Sequence, residues 1–542
     1  MAVDGNYDWI VVGSGVSGLS GALWASRHGL KTLLIEKASV VGGATAYSYG
    51  SLWVPNNLLE REAGIEDSEE DAITYMRYLS GGFADEAHLI TYVREAPRAI
   101  EELLGWGVKL RLIEGVADHY FPIAPGSQKR GRMLEAVPML RKQLPAEAPP
   151  LQQSPYMPEG ISWTDAIRLG GLGNRFSWDQ EKVKEASSYY AAGQGLVAAL
   201  LRACLEDSVT IRVDMPATRL LVEQGRVVGV EAASAGEVRS KYGVFLATGG
   251  YESNRELVRA FQWFPETVSH YPPTQTGDGM VLAMEIGAAI RVIPVTLASM
   301  VGYWIPHTDG TKEFHSAGIQ ELAYPHSMVV NGEGRRFADE SFFQAFTVKL
   351  REFDVLNKHR YKNIPCYLIF DAQFARRYPF AGNPPGAPVS AWVTRAGSWS
   401  ELAKLLHIDG EQLERTVAAF NGEARAGRDP EFGRGATSWG RSVGDPRHPV
   451  NANVAPLEQP PFYGVELFPT ESSSAGLHTD VSGRVLHVRG RVIEGLYAGG
   501  VVTARTAYGA GYQAGYSLAS GIILARLAVR HAVGTTAFYP IR

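Results

Sequence analysis

A glycine motif set between an apolar run and a helix-forming run constrains this chain more than any other feature. Residues Trp9 to Val12 are apolar, Gly13-Ser-Gly-Val-Ser-Gly18 follows directly, and Leu19 to His28 has helical composition. Thr32 to Ile35 is apolar again, and Glu36 follows it twenty-three positions after Gly13. A strand, a glycine turn, a helix, a second strand and an acid within about thirty residues form the dinucleotide-binding fingerprint. The start of the chain therefore predicts a Rossmann-type unit.

Each part of this motif has a physical task. The glycines allow a tight turn, a close approach of backbone to a diphosphate, and packing of the helix on the strand. The amide groups at the helix start attract phosphate, and Glu36 is expected to bind the ribose hydroxyls. A second glycine pair, Gly42-Gly43, follows Glu36-Lys37, which is typical of FAD-dependent folds rather than nicotinamide-binding ones. We therefore predict FAD as the cofactor.

Composition narrows the class of partner. A length of 542 residues is too great for one hydrophobic core and predicts several domains. The formal charge of -5 gives no positive field that would attract nucleic acid. Cys204 and Cys366 form no CxxC pair, and the 13 histidines form no HxxxH or HxH pair. We expect no metal site and no disulfide framework. The expected partner is a small molecule.

The apolar segments do not indicate a membrane span. Residues 1–8 lack a basic segment, so we expect no signal peptide and a cytoplasmic location. The apolar run Tyr516 to Val533 contains Arg526, Arg530 and His531, and is expected to be a terminal helix packed on the protein. Peripheral membrane contact remains an alternative.

The order of segments predicts an α/β protein in which a Rossmann-type FAD-binding domain carries an inserted α+β substrate-binding (catalytic) domain. Residues 1–280 would form the first part of the FAD-binding domain, with a helical insertion at about 60–180. Strands are expected at Val209–Val213, Ala217–Glu223, Arg226–Ala232 and Val244–Thr248. Residues 281–474 would form the second domain, with a hairpin at Asn331-Gly-Glu-Gly334. Residues 475–542 would return to the first domain.

Further glycine turns extend the expected cofactor site. Thr248-Gly-Gly250 follows a predicted strand, Thr276-Gly-Asp-Gly279 precedes a predicted helix, and Gly500 ends the strand-like Leu496-Tyr-Ala-Gly-Gly. A plain glycine turn is the alternative for the second of these. The residues expected to bind the cofactor are Gly13, Gly15, Val16, Ser17, Gly18, Glu36, Lys37, Gly42, Gly43, Thr45, Ala46, Ser48, Gly50, Ala217, Thr248, Gly249, Gly250, Gly277, Asp278 and Gly500.

Together with Leu52-Trp-Val-Pro-Asn56, Asp118-His-Tyr120 and Val330-Asn-Gly-Glu-Gly-Arg-Arg-Phe337, these motifs resemble the 3-ketosteroid dehydrogenases, within the fumarate reductase/succinate dehydrogenase flavoprotein superfamily. The resemblance implies an enzyme that removes a hydride and a proton from adjacent carbons of a cyclic ketone. It implies that Tyr120 assists proton removal and that Tyr508, with backbone from Gly509 to Gly511, polarises the ketone oxygen. Tyr512 and Tyr516 are alternatives to Tyr508, and a helix face is the alternative explanation of their spacing.

The chain departs from this family at two places. An Asn-Glu-Ser run should lead to the principal base tyrosine, but the chain reads Ala338-Asp-Glu-Ser-Phe-Phe-Gln344. No histidine follows Gly42-Gly43 at the position of covalent attachment in succinate dehydrogenases, so FAD is expected to be non-covalent. For the missing tyrosine, either another tyrosine takes the proton, or the position of the double bond or the substrate differs from that of the steroid Δ1-dehydrogenases.

Several residues are candidates for the substrate pocket. The aromatic side chains expected to line it are Tyr303, Trp304, Phe342, Phe343 and Phe346, although such runs are often core. Arg505 either binds a substrate carboxylate, which would favour a small keto acid, or is a surface charge. The competing functions are an enoate reductase of the same superfamily and a flavin-fold protein without catalysis. The electron acceptor is not indicated.

Overall fold

The computed structural model describes residues 6–264, 267–293, 300–316, 318–470 and 472–535. Within these ranges, a mostly parallel sheet forms the centre of the FAD-binding part. Its eight strands are Asn6–Val12, Thr32–Ile35, Thr210–Arg212, Ala217–Glu223, Arg226–Ala232, Gly236–Leu246, Arg484–Leu486 and Val492–Ala498. The first strand pairs in parallel with the second strand and with Gly236–Leu246. The predicted Rossmann-type α/β fold is confirmed.

Both faces of this sheet are buried. Trp9 and Val11 of the first strand pack in one hydrophobic cluster, whereas Ile10 and Val12 pack in another on the opposite face. Successive side chains of a strand point to opposite faces, so a continuous apolar run is required here. The helices of this part are Val16–Arg27, Gly43–Tyr47, Ala192–Glu206, Arg255–Phe261, Asp278–Glu285 and Tyr516–Ala532, with a 3₁₀ turn at Gly500–Val502.

The end of the chain returns to the first sheet. Strand Val492–Ala498 pairs in parallel with Gly236–Leu246, with Val244 opposite Leu496. The final helix, Tyr516–Ala532, then packs against Val16–Arg27. None of the helices in the described ranges is both long enough and apolar enough to cross a membrane.

The insertion after the second glycine pair is less helical than predicted. Its helices are Leu58–Glu62, Glu69–Ser80, Glu86–Gly105, Trp163–Arg168 and Gln180–Ala186, with 3₁₀ turns at Arg141–Gln143 and Leu172–Ser177. Short strands also occur, at Leu52–Trp53, Leu110–Leu112, Met133–Ala136, Met139–Leu140 and Tyr189–Tyr190. These strands have two to four residues, too few for an alternating pattern to show in the sequence.

A second sheet lies in the middle of the chain. Its six strands in the described ranges are Val301–Pro306, Lys312–Ser316, Ser327–Asn331, Cys366–Phe370, Thr394–Ala396 and Phe462–Pro469. Smaller pairs join Phe353–Asp354 to Arg360–Tyr361, and Ile290–Val292 to Ala475–Leu477. The helices here are Gly318–Ala323, Phe343–Leu350, Ala372–Arg377, Trp399–Leu406, Gly410–Ala424 and Ser438–Val443. The exact domain boundaries stay predictions.

The hairpin predicted at Asn331-Gly-Glu-Gly334 is wrong. Strand Ser327–Asn331 ends at this turn, but its antiparallel partner is Cys366–Phe370. Arg336, just after the turn, is buried and binds Glu340 and Asp429, with N–O distances of 2.8 Å to each carboxylate. This buried ion network holds the segment after the turn as a loop.

Candidate active site

A cavity of about 700 Å³ is lined by residues from both parts of the chain. The predicted cofactor residues that line it are Gly13, Gly15, Val16, Ser17, Glu36, Lys37, Gly43, Thr45, Ser48, Gly50, Ala217, Thr248, Gly249, Asp278 and Gly500. Most of them lie in loops or at helix starts that follow strands, while Ala217 begins strand Ala217–Glu223. The carboxyl ends of parallel strands are where α/β folds bind nucleotides.

The other predicted cofactor residues do not line the cavity, and their glycines allow close packing next to it. A Cβ on Gly18 would lie 1.8 Å from the Gly13 carbonyl oxygen, so Gly18 permits the helix to pack on the turn. A Cβ on Gly250 would meet Glu252 and Ser473, and Gly277 caps helix Asp278–Glu285 with φ 77°. Gly42 and Ala46 also lie outside the cavity wall, where Gly42 has φ 113°.

The nucleotide end of the cavity suits a diphosphate. Gly15 caps helix Val16–Arg27 without a side-chain hydrogen bond, and the first turn has no acidic residue. The dipole at this helix start therefore attracts an anion. Thr248 adds a buried hydroxyl with no hydrogen-bond partner among the described residues. These residues fit the diphosphate of FAD.

Glu36 is positioned by the turn it is expected to serve. Its Oε2 accepts hydrogen bonds from the backbone N–H of Ser14 at 3.0 Å and from the Ser14 hydroxyl at 2.6 Å. Its Oε1 accepts from the Ala38 N–H at 2.9 Å. Next in the chain, Lys37 Nζ lies 2.6 Å from Asp278 Oδ2. This ion pair joins the end of the second strand to the loop Thr276-Gly-Asp-Gly279. The Glu36 carboxylate is therefore held against the Gly13 to Gly18 turn, in the wall of the cavity.

Another part of the cavity wall is aromatic. Trp439 stacks on His119 with ring centroids 3.7 Å apart, and Phe343 and Tyr512 contact the same histidine at 6.3 and 5.5 Å. Trp163 stacks on Trp439 at 6.0 Å. All five line the cavity. An apolar chamber with a few polar groups is the usual form of a small-ligand site.

The predicted tyrosines separate into two groups. Tyr512 lines the cavity, and it makes no hydrogen bond to any described residue. Burial raises its pKa to about 12, and the charge of Arg505 opposes that shift. Tyr508 lies outside the cavity wall, where its ring packs on Tyr516 at 3.7 Å and its hydroxyl lies 3.2 Å from Ser517 Oγ. The predicted role of Tyr508 as a donor to the ketone oxygen stays a prediction.

Gly511 and Tyr120 also lie outside the wall. The Gly511 N–H already donates to the Tyr508 carbonyl at 3.2 Å, so it is not available to a ketone oxygen. The Tyr120 ring packs edge-on against Phe342 at 4.9 Å. Burial raises the pKa of Tyr120, and its hydroxyl has no hydrogen-bond partner in the described part of the chain. Its predicted role in proton removal stays a prediction.

The predicted substrate aromatics are mostly core. Phe343 lines the cavity, but Phe342, Phe346, Tyr303 and Trp304 do not. Tyr303 is fully buried and its hydroxyl donates to Glu321 Oε2 at 2.7 Å, while Trp304 packs on Phe314 at 5.2 Å. Aromatic composition alone does not distinguish a pocket wall from a core.

Arg505 is a buried cation in the cavity wall, not a surface charge, with 9% of its surface exposed. Its Nε donates to the Ser473 carbonyl at 3.2 Å, and its Nη1 has no hydrogen-bond partner among the described residues. The buried carboxylate of Glu252 accepts its hydrogen bonds from Ser473 rather than from Arg505. Its Oε1 accepts from the Ser473 backbone N–H and from the Ser473 hydroxyl, each at 2.8 Å. One nitrogen of this guanidinium in the cavity wall therefore has an unsatisfied hydrogen bond within the described part of the chain.

Sequence reasoning missed His119 and Trp439. His119 lies within Asp118-His-Tyr120, beside the tyrosine to which the family resemblance assigns a role. Trp439 lies 320 positions away and begins no recognisable motif. Their contact depends on the packing of two separate segments, which a single sequence does not reveal.

Comparison with known proteins agrees with this geometry. The FAD binding domain family model matches residues 8–521. The chain belongs to this family. It is 32% identical to the 3-oxosteroid 1-dehydrogenase of Mycolicibacterium smegmatis, over 92% of each chain. It is also 32% identical to the 4-oxocyclohexanecarboxylate 2-dehydrogenase of Sinomonas cyclohexanicum, over 98% of this chain and 94% of that one.

A solved structure supports the same relationship. The 3-ketosteroid Δ1-dehydrogenase of Sterolibacterium denitrificans, in complex with 1,4-androstadiene-3,17-dione, superposes with a TM-score of 0.86 and 27% identity. The match covers 98% of this chain and 100% of that chain. The predicted resemblance is confirmed, and this member of the FAD binding domain family is an FAD-dependent oxidoreductase.

Proposed function

We propose that this enzyme introduces a carbon–carbon double bond next to the carbonyl of a cyclic ketone. A hydride leaves one ring carbon and a proton leaves its neighbour, the carbon adjacent to the carbonyl. Bound FAD supplies the hydride acceptor. The observation that carries the proposal is the continuous cavity, which joins the nucleotide-binding loops to a chamber walled by His119, Phe343, Trp439 and Tyr512.

Tyr512 is the residue of this wall that polarises the ketone oxygen. Its pKa, raised to about 12 by burial, keeps the phenol protonated at neutral pH. A hydroxyl donor binds the oxygen more strongly as enolate charge develops, an effect worth about 3–4 kcal/mol for a well-placed donor. Tyr512 thus takes the role first predicted for Tyr508, and Tyr120 remains the predicted aid to proton removal.

Arg505 favours a ketone that carries a carboxylate. A buried guanidinium with an unpartnered Nη1 is unfavourable unless an anion completes its hydrogen bonds. Its planar array of donors matches a carboxylate. Among the related enzymes, 4-oxocyclohexanecarboxylate 2-dehydrogenase is named for a substrate of this kind. We propose an oxocyclohexane carboxylate rather than an uncharged 3-ketosteroid.

The substrate class is tested by anaerobic mixing with four ketones while flavin absorbance is followed. These are 4-oxocyclohexanecarboxylate, its methyl ester, cyclohexanone and 4-androstene-3,17-dione. The carboxylate should reduce the flavin at the lowest concentration. Arg505→Met should raise the concentration needed for the carboxylate by roughly 10–100-fold, as expected for a lost charged hydrogen bond, and should leave the ester unaffected.

Arg175→Met is the matched comparison, because Arg175 is another arginine of the cavity wall. The carboxylate assignment fails if Arg505→Met binds the acid as well as wild type does, or if Arg175→Met shows the loss instead. If the steroid reduces the flavin at the lowest concentration, the proposed desaturation stands, but the proposed keto acid substrate is wrong.

A further inference from the structure

A histidine and a glutamine meet where the sequence resemblance predicts a base tyrosine. Gln344 stands at the expected tyrosine position, and its Nε2 lies 2.6 Å from His119 Nδ1. Both side chains are buried, at 1% exposure each. His119 lines the cavity, whereas Gln344 does not. The glutamine therefore acts on the cavity only through the histidine.

The contact with Gln344 fixes where the imidazole proton lies. With the Gln344 amide assigned in this orientation, its nitrogen donates and Nδ1 accepts. A neutral imidazole that accepts at Nδ1 carries its proton on Nε2. The two ring nitrogens point in different directions, so Nε2–H points away from Gln344. Nε2 is buried and has no hydrogen-bond partner in the described part of the chain, so its hydrogen-bonding capacity is unsatisfied.

Three other contacts hold the ring in place. The Trp439 indole lies flat on it at 3.7 Å, and Phe343 meets it edge-on at 6.3 Å. The backbone N–H of His119 donates to Gln513 Oε1 at 2.9 Å, and this oxygen also accepts the Tyr75 hydroxyl at 2.6 Å. Burial lowers the pKa of His119 to about 3, so the ring is neutral at pH 7.

We propose that His119 is a catalytic residue that donates a hydrogen bond from Nε2–H to the ketone oxygen, and that Gln344 positions it by fixing the tautomer. The inference rests on the proposed ketone desaturation. A neutral imidazole polarises a carbonyl in other enzymes that form enolate-like intermediates, because it donates without first having to lose a charge. The Tyr512 ring lies 5.5 Å from the imidazole, so the two donors share one wall of the chamber. No proton is transferred from His119 in this role.

The tautomer is tested without any turnover. Protein holding bound FAD and ¹⁵N-labelled histidine is examined by NMR at pH 7, and His119→Phe identifies the His119 signals among the 13 histidines. We expect one neutral form protonated at Nε2. Gln344→Leu should give a mixture of the two neutral tautomers. A charged ring, or a proton on Nδ1 in the wild type, overturns the proposal.

The catalytic role is tested by the rate of flavin reduction in a single turnover with an oxocyclohexane carboxylate. His119→Phe keeps a flat ring against Trp439 and removes the donor. Its rate should fall roughly 10²–10³-fold with unchanged FAD content and little change in ketone affinity. The carbonyl stretch of the bound enone should also shift to higher frequency. The exposed His407→Asn should leave all of these values unchanged.

Failure of the inference differs from failure of the proposed function. Wild-type flavin reduction by a ketone, together with an equal rate in His119→Phe, removes His119 from the reaction and leaves the desaturation intact. If no ketone reduces the wild-type flavin, the proposed function fails and the catalytic role of His119 fails with it, whatever tautomer the NMR spectrum shows. Loss of FAD from His119→Phe assigns the histidine to the cofactor and also overturns the proposal.

Discussion

The Trp439 indole lies flat on the His119 imidazole, with ring centroids 3.7 Å apart and ring planes 28° from parallel. The two residues come from the predicted second domain and from the insertion in the first. Trp439→Ala should therefore destabilise the protein by about 3–5 kcal/mol and weaken ketone binding. Trp439→Phe, which keeps a stacked ring, should lose much less stability and much less affinity for the ketone. Thermal midpoints and ketone titrations of the two variants check this, and equal effects would contradict it.

Tyr512 and Tyr508 should respond differently to loss of the hydroxyl. Tyr512→Phe removes a donor that faces the cavity, so turnover should fall roughly 10²–10³-fold with normal FAD content. Tyr508 does not line the cavity, although its hydroxyl lies 3.2 Å from the Oγ of Ser517, which does, so Tyr508→Phe should keep turnover close to normal with a small loss of stability. Single-turnover flavin reduction and thermal midpoints decide between them. The reverse pattern would return the donor role to Tyr508.

Glu36 should contribute directly to FAD affinity. Glu36→Ala removes a charged acceptor expected to bind the ribose, which should weaken FAD by about 1–3 kcal/mol. The Ser14 turn also loses its carboxylate partner. FAD is first released with acid, and the apoprotein is then titrated with FAD while flavin fluorescence is followed. Glu62→Ala, which replaces an exposed acid, is the control. Flavin that stays on the polypeptide after acid precipitation would contradict non-covalent binding.

The buried Arg336 network predicts a pH dependence of stability. Burial alone would raise the pKa of Glu340 and of Asp429, but the Arg336 charge holds both below their ordinary values, and Arg434 adds to this effect at Glu340. A carboxylate whose pKa is lowered by folding stabilises the protein above its unfolded pKa, near 4 for these groups. That stabilisation is lost as the pH falls through the folded pKa values. The thermal midpoint should therefore decline below about pH 4.

The same network is tested by Arg336→Met. Removal of the cation leaves a buried carboxylate without its principal partner, which should cost about 3–5 kcal/mol at pH 7. The difference from wild type should shrink in acid, because protonated carboxyls no longer need the cation. Thermal unfolding from pH 3 to pH 8 measures both effects. A constant difference across this range would contradict the assignment.

The nucleotide end of the site could be predicted because its signals are local. Gly13 to Gly18 and Glu36 lie within one short βαβ unit, and chain geometry alone brings them together. The chamber end could not be predicted in the same way. His119 and Trp439 meet, and Arg505 reaches the same cavity, only through the packing of separate segments, which their neighbouring sequence does not encode.

The tyrosines show how local periodicity misleads. Tyr508, Tyr512 and Tyr516 have helical spacing, but the helix begins at Tyr516. Residues 508–515 are irregular, so Tyr508 turns back onto Tyr516 while Tyr512 turns toward the cavity. At Asn331 the predicted turn forms, but no paired strand follows it, because the next segment is held by the buried ion pair of Arg336 with Glu340.

The most direct measurement of the central claim is a single anaerobic turnover of the wild-type enzyme with 4-oxocyclohexanecarboxylate. Flavin absorbance and the ultraviolet absorbance of a conjugated enone are followed together. The proposed function predicts that the flavin bleaches and that one enone appears for each flavin reduced. It would be contradicted if no cyclic ketone bleached the flavin while chemically reduced enzyme was rapidly reoxidised by an enoate, since that behaviour belongs to a reductase.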